Sequence, residues 1–185
     1  MNIFKQHQIF EQLKKYLPQN PVMIEAGSCD GKDALNLIKA FPTATLHAFE
    51  PVPELYSRLV ANTTHLPNIC TYNVALSDTN GTATFHVAEK TKNPGVPTQA
   101  GSLHAPKERL KWSPLEYPRT IKVPTTTLDS WAKKHTVNHV DCRWLDMQGH
   151  ELHALKGAKK LLKNAHALYV EMNFIQAYEL SIKNF

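Results

Sequence analysis

Four acidic residues stand where a short strand-like run gives way to a turn: Glu25 after Val22-Met23-Ile24, Glu50 after Leu46-His47-Ala48-Phe49, Asp146 after Arg143-Trp144-Leu145, and Glu171 after Leu168-Tyr169-Val170. Carboxylates in such places accept hydrogen bonds from hydroxyls or take up a proton. Glu25 leads into a loop bounded by Gly27 and Gly31, in the pattern E-x-G-x-x-x-G. Gly27 lets the backbone approach a ligand closely, and a helix beginning near Gly31 aims its free amides and positive end at whatever binds. The pattern is neither G-x-G-x-x-G nor G-x-x-x-x-G-K-[ST], so it offers no dedicated pyrophosphate cradle. Glu50, at the next strand tip, is placed to accept hydrogen bonds from both hydroxyls of a ribose. A ribose without a diphosphate fits S-adenosylmethionine. Methyl transfer from its sulfonium is an in-line displacement, for which a protein supplies alignment and, for a hydroxyl acceptor, a group to take the proton. Candidates for that group are Asp146, His150, Glu151 and Glu171. Asp146 comes first because it ends the strand beside the cofactor strand; its alternative role is to cap the helix that follows.

Placing these residues on one rim needs strands that alternate with helices. Val22 to Glu25 reads as a buried strand, and Ala34, Leu37, Ile38 and Phe41 at i, i+3, i+4, i+7 read as a helix. A second strand covers Thr45 to Phe49, and Pro51-Val52-Pro53 starts a helix that turns Leu55, Leu59 and Val60 inward. A third strand, Ile69 to Val74, leads to Ala75-Leu76-Ser77-Asp78, and Asn80-Gly81 marks a turn before the alternating strand Thr82 to Val87. Residues 90–119 carry five prolines among lysines and arginines. They read as a flap over the ligand-binding edge that helps bind the second substrate. Ile121-Lys122-Val123 is a strand, and a helix starts at Thr127 to Trp131 with a hydroxyl near its N-cap. A further strand runs from Val140 to Asp146. Gln148-Gly149 then turns the chain into a helix bearing Leu152, Leu155 and Leu162, and the last strand, Ala167 to Val170, ends at Glu171. The alternation predicts an α/β fold: a mostly parallel open sheet with helices on both faces.

With 185 residues the chain is long enough for one domain and a core without staples. Residues 1–20 read as an amphipathic helix packed on that domain, with no apolar stretch of signal-peptide or membrane-spanning type. Cys29, Cys70 and Cys142 are odd in number and unpaired by spacing, which predicts reduced thiols in a cytoplasmic setting. The net charge of +5 is compatible with anionic partners, but the lysines are spread along the chain and give no strong nucleic-acid signal.

With these residues in view, the chain resembles the FkbM-type methyltransferases, S-adenosylmethionine-dependent enzymes with a Rossmann-like class I methyltransferase fold. The resemblance runs from about Val22 to about Glu171. It rests on Glu25-Ala26-Gly27-Ser28-Cys29-Asp30-Gly31, Ala48-Phe49-Glu50-Pro51 and Ala75-Leu76-Ser77-Asp78. It continues in Thr127-Leu128-Asp129, Leu145-Asp146-Met147-Gln148-Gly149-His150-Glu151-Leu152, Leu155-Lys156-Gly157 and Val170-Glu171. The resemblance implies that Glu25, Gly27, Ser28, Asp30 and Gly31 surround the methionine part of the cofactor. Glu50 then meets the ribose and Ala75 and Leu76 lie near the adenine; Ala26 and Pro51 belong to the same cofactor set. Many members carry a lysine and a glutamate where this chain has Trp144 and Gln148, so a charged pair is missing here. Class I members usually finish with another helix and a strand hairpin, and the chain stopping at Phe185 is expected to lack them. The unpaired edge is then one that a second copy could cover, as a homodimer.

The resemblance implies a hydroxyl acceptor on a sugar, glycan or secondary metabolite. A metal-assisted variant draws on Asp146, Glu171 and Asn173, which resemble the oxygen ligands by which catechol-type O-methyltransferases hold Mg2+. His150 and His153 are three apart on one helix, and without a third ligand they read as surface or pocket histidines; His104, beside Ser102, is a further candidate base. Two other classes stand as alternatives. A nucleic-acid methyltransferase suits the basic charge, though residues 171–174 read Glu-Met-Asn-Phe in place of the Asp/Asn-Pro-Pro-Tyr of amino-methylating enzymes. The other is a non-catalytic binding module that keeps the cofactor fold.

Overall fold

The computed structural model describes residues 3–111, 113–172 and 176–179. In chain order it runs α1 (Ile3–Leu13), β1 (Val22–Ala26), α2 (Lys32–Ala40), β2 (Thr45–Phe49), α3 (Pro53–Thr63) and β3 (Ile69–Tyr72). It continues with β4 (Ala75–Leu76), β5 (Gly81–Lys90), β6 (Asn93–Pro97), β7 (Leu115–Thr126), α4 (Leu128–His135), β8 (Cys142–Leu145), α5 (Glu151–Lys156) and β9 (Ala167–Val170). Local chemistry accounts for the helix starts. Pro53 occupies the first turn of α3, where its missing N–H costs nothing. Thr127 caps α4, its Oγ1 accepting from the Ser130 N–H at 3.1 Å.

Five strands pair in the order β3-β2-β1-β8-β9, all parallel. Such a sheet is covered on both faces, which explains why its strands read as nearly unbroken apolar runs. On one face α1 (Phe10, Leu13) and α2 (Ala34, Leu37, Ile38) pack over Met23, Leu46, Cys142 and Trp144. On the other, α4 (Leu128, Trp131) and α5 (Ala154) cover Ile24, Ala26, Phe49 and Leu145. The register decides where the chemistry falls. Ala26 pairs with Phe49 and with Leu145, and Leu145 pairs with Val170. The next residue of each strand, Gly27, Glu50, Asp146 and Glu171, therefore emerges at one level on one rim. Chain order reverses between β1 and β8, and ligands in open α/β sheets bind at such a reversal.

The remaining strands form a second sheet in the order β4-β7-β5-β6, which the expected single parallel sheet did not contain. The third strand stops at Tyr72 and not at Val74; the chain crosses over, and Ala75–Leu76 pairs instead with Thr125 and Thr126 of β7. Residues 90–119, read from the sequence as a flap, give this sheet its edge strand β6 and the start of β7, with the segment between them outside the sheet. β5 and β7 pair antiparallel from Gly81↔Thr125 to Lys90↔Leu115. The prolines have places that tolerate them. Pro94 and Pro97 lie on the edge strand β6. Pro118 falls where the register jumps from Val87↔Arg119 to Glu89↔Glu116, so no ladder bond is asked of it. Phe85, Val87 and Val123 pack on Val52 and Leu55 and join this sheet to the N-terminal end of α3. Among the described residues no helix is long and apolar enough to cross a membrane.

Candidate active site

The loop after β1 is fixed by β2. The N–H groups of Gly27 and Ser28 both donate to the Phe49 carbonyl at 3.0 Å. Gly27 has φ +87°, and a Cβ there would lie 1.9 Å from the Asp146 carbonyl oxygen, so β1 and β8 approach as only glycine permits. Glu50 is buried and accepts the Cys29 N–H on Oε2 and the Val52 N–H on Oε1, both at 2.8 Å. Each of its oxygens keeps a further lone pair for a ligand. Burial pushes this carboxyl up to about 7, against the pull of those two N–H groups. The Asn73 amide holds the Glu50 and Pro51 carbonyls from the strand crossover, at 2.8 and 3.1 Å.

Two cavities meet over this loop. The first, of about 500 Å3 counting its mouth, is walled by Phe49, Leu55, Leu76, Phe85 and Leu103, with Glu50 on its rim. Its roof is the segment 98–106, the first part of the connection from β6 to β7; His86 and Ser102 exchange backbone hydrogen bonds of 2.8 and 3.1 Å and tie this strap to β5. Ala26, Pro51 and Ala75 also line this cavity. The second, of about 790 Å3 with its opening, is polar and carries Glu25, Asp30, Asp33, Asp146 and Glu171 against a single cation, Lys32. Ser28 lines it too. Gly27, Cys29, Gln99 and Asp146 belong to both cavities. Gly31 lines neither; its left-handed backbone lets the start of α2 pack against Leu59 and Thr63 of α3.

The acid cleft is short of positive charge. Glu25 is buried, its Oε2 has no hydrogen-bond partner, and burial pushes its carboxyl up to about 8, with Asp33 and Glu50 adding to the rise. Asp146 is held well above the usual carboxylate range by its withdrawal from water and by Glu171 beside it. A ligand carrying cationic groups would relieve this crowding. Together with the glycine cradle and the apolar cavity next door, the donor set fits the sulfonium, ammonium and nucleoside of S-adenosylmethionine.

Asp146 and Glu171 are joined by one side chain. Gln148 Nε2 donates to Asp146 Oδ1 at 2.6 Å and to Glu171 Oε2 at 3.2 Å. Its own carbonyl lies 2.9 Å from the Tyr178 hydroxyl, which is also 2.8 Å from the Ala100 carbonyl. Ser102 Oγ donates to the Gln148 backbone carbonyl at 2.9 Å, so the strap and the residue-178 segment both grip this turn. Gln148 was read from the sequence as a turn residue and as a departure from the family's glutamate, and Tyr178 was not singled out. No local pattern marks Tyr178, because its partners lie on other segments. Glu151 proves to be a cap: its Oε1 accepts the Met147 and Gly149 N–H groups at 2.7 and 3.3 Å. His150 lines the apolar cavity and turns its ring nitrogens to Ser77 Oγ and His104 Nε2, each at 3.0 Å. Asn173, the third member of the expected magnesium set, lies outside the described residues. With an amide bridging Asp146 and Glu171, that set is not assembled among the described ones.

Comparison with known proteins bears on this arrangement. The family described as Methyltransferase FkbM domain matches residues 25–182. The 2-O-methyltransferase NoeI of Sinorhizobium fredii (strain NBRC 101917 / NGR234) is 31% identical over 163 residues, which is 86% of this chain and 66% of that protein. The chain thus spans just under two thirds of its relative's length. The family match starts at the first carboxylate of the rim and runs past Tyr178. It takes in every residue lining the two cavities except Gln6, and the chain belongs to the FkbM methyltransferase family.

Proposed function

We propose that the chain is an S-adenosylmethionine-dependent O-methyltransferase acting on a hydroxyl of a sugar, glycan or secondary metabolite. The observation that carries this reading is the junction at Gly27 of an apolar cavity with a cleft holding five carboxyls against one lysine. The cofactor, when bound, supplies a methyl group activated by a sulfonium. Leu76, Ala75 and Phe49 offer the adenine an apolar slot, and the free lone pairs of Glu50 accept from the ribose hydroxyls. Glu25, with Asp30 at the cleft wall, faces the cationic methionine end. Asp146, common to both cavities, stands where an acceptor hydroxyl meets the methyl group. Its raised affinity for protons suits it to take the hydroxyl proton as the oxygen–carbon bond forms and the carbon–sulfur bond breaks. Gln148 orients that carboxylate, and Glu171 raises its basicity. After transfer the carboxyls of the cleft would face only the ammonium, one cation fewer than before.

The acceptor has an approach of its own. A groove of about 1020 Å3, open to solvent, shares Cys29, Leu55, Thr98 and Gln99 with the cofactor cavity and carries Arg58, Lys90 and Arg109. Its size suits an acceptor larger than one sugar ring, and the relative's name, a 2-O-methyltransferase, supports a hydroxyl as the target. The free thiols of Cys29, Cys70 and Cys142 support a reducing, cytoplasmic setting. The test is calorimetric titration with S-adenosylhomocysteine of the native chain and of Glu50→Ala, followed by methyl transfer to a panel of hydroxylated acceptors. We expect Glu50→Ala to weaken binding at least about tenfold, roughly 1.4 kcal/mol. A folded native chain that binds no S-adenosylhomocysteine sinks the reading.

A further inference from the structure

His150 and His153, three apart on α5, acquire a third partner that only the fold supplies. His104 comes from the strap between β6 and β7, and its Nε2 lies 3.0 Å from His150 Nδ1. One ring nitrogen from each of the three lies within 4.8 Å of the others. His104 and His150 are buried at 6% and 7% exposure, and the Nδ1 of half-buried His153 is shut off from water with no hydrogen-bond partner.

Hydrogen bonding behind the cluster sets the protons. Ser77 Oγ donates to Asp78 Oδ1 at 3.3 Å and so turns a lone pair to His150 Nε2, 3.0 Å away. His150 then carries its proton on Nε2 and turns the lone pair of its Nδ1 to His104 Nε2. A carboxylate–hydroxyl–imidazole relay of this kind is what fixes the orientation and basicity of histidines that bind metals. The His153 Nδ1, buried beside this pair without a hydrogen-bond partner, is a polar atom that a core packed for its own sake would not leave so.

We propose that His104, His150 and His153 form a binding site for Zn2+ or a similar borderline divalent transition metal, and that the ion clasps the strap to α5. Imidazole nitrogens bind zinc at about 2.0–2.1 Å, and three of them with one open position make a familiar zinc environment. His104 and His150 already stand close to the separation this requires. The His153 ring lies flat on that of His150, with centroids 4.4 Å apart and planes at 6°. It must swing out of the stack to bring its nitrogen into line. The ion sits between the strap and α5, beside the cofactor cavity that His150 lines, and its role there is to hold the two together. It pins the roof of the cofactor cavity, through His104, to the turn that carries Asp146 and Gln148, through His150. Zinc thereby makes the roof slower to open.

The test is titration of the chelator-treated 185-residue chain with Zn2+, and with Co2+ read by its visible absorption. The variants are His153→Ala and His104→Ala, with exposed His65→Ala as a control. We expect one ion per chain, the absorption of tetrahedral Co2+ with no thiolate charge-transfer band, and a melting temperature that rises with Zn2+. His153→Ala, at a half-buried position, should keep the fold and lose at least about a hundredfold in affinity. If His104→Ala fails to fold, His153→Ala decides alone. The proposal is overturned if the folded native chain binds neither ion, if binding survives His153→Ala, or if it is lost equally in His65→Ala. It is also overturned if a thiolate band assigns the ion to cysteine.

Discussion

The two sheets serve one pocket by opposite means. In the parallel sheet the inner strands β2, β1 and β8 are covered on both faces, and burial along β8 (Cys142–Leu145) is complete. Function there sits past the strand ends, where the matched register of Ala26, Phe49, Leu145 and Val170 presents a row of acids and one glycine. The antiparallel sheet is half wet. β7 (Leu115–Thr126) alternates half-buried and exposed positions along most of its length, and its contribution to the pocket is the strap it anchors and not its strand ends. One sheet fixes charge to within a residue; the other fixes a lid. Cofactor recognition should therefore be brittle and acceptor recognition adjustable.

The sharpest way to break that contrast is at Gly27. Gly27→Ala pushes a Cβ to 1.9 Å from the Asp146 carbonyl at a positive φ, forcing β1 and β8 apart. Overpacking and backbone strain together cost about 2–5 kcal/mol. Thermal unfolding should show that loss, and S-adenosylhomocysteine affinity should fall by roughly two orders of magnitude or more. Asp146→Asn addresses the same rim without touching its backbone. Turnover should drop by about 10²–10⁴-fold while S-adenosylhomocysteine affinity changes only a few-fold, which separates the proton acceptor from the cofactor cradle. In the native enzyme the rate should rise with pH through the raised ionisation of Asp146, because only the carboxylate can accept the proton. Asp146→Asn should flatten that limb.

A smaller effect is expected on stability itself. Glu25 and Glu50 are raised to about 8 and about 7, so the protons they bind stabilise the ligand-free fold fully below about pH 4.5 and progressively less as the pH climbs through 7 and 8. His47 runs the other way. Burial lowers it to about 4, so its contribution is present above about pH 6.5 and is lost as the pH falls towards 4. Chemical denaturation across this range should find the ligand-free protein weakening towards pH 8 by on the order of a few kcal/mol. Glu25→Gln should remove part of that slope, and S-adenosylhomocysteine should oppose it. The least effect belongs to the seam between the sheets. Arg119 of β7 meets Glu54 of α3 at 2.6 Å on the surface, and Glu54→Ala, which leaves the contact of Arg119 with buried Glu89 in place, should cost no more than about 1 kcal/mol in an unfolding titration. A larger loss would mean that the two sheets lean on each other more than their shared core of Phe85, Val87 and Leu55 suggests.

The same contrast governs what was legible in the amino acids. Nearly unbroken apolar runs that end in Glu25, Glu50, Asp146 and Glu171 announce parallel strands and their tips, because burial on both faces of the inner strands favours that pattern. The second sheet hides for the converse reason. Pro94, Pro97 and Pro118 look like loop residues until an edge and a bulge are seen to absorb them. The polar partners of Asp146 were hidden because their meaning is tertiary. Gln148 reads as a turn residue that replaces a charge usual in the family, and Tyr178 stands in no periodic segment. Backbone pairing of Lys107 and Arg109 with Ala177 carries Tyr178 to Gln148. His104 and His153 likewise become neighbours only through the strap.

One consequence of the strand order concerns how the chain is made. β1 gains β2 within a few turns of chain, but its other neighbour is remote: Val22 donates to Asp141 across 119 residues. At about 5–20 residues per second, synthesis leaves the inner edge of β1 without a partner for roughly 6–24 s. For that interval the nascent chain carries an apolar, unpaired strand edge at what will become its centre, the kind of surface that neighbouring nascent chains join and chaperones cover. The reversal that makes the ligand crevice also makes this a slow, late-closing fold.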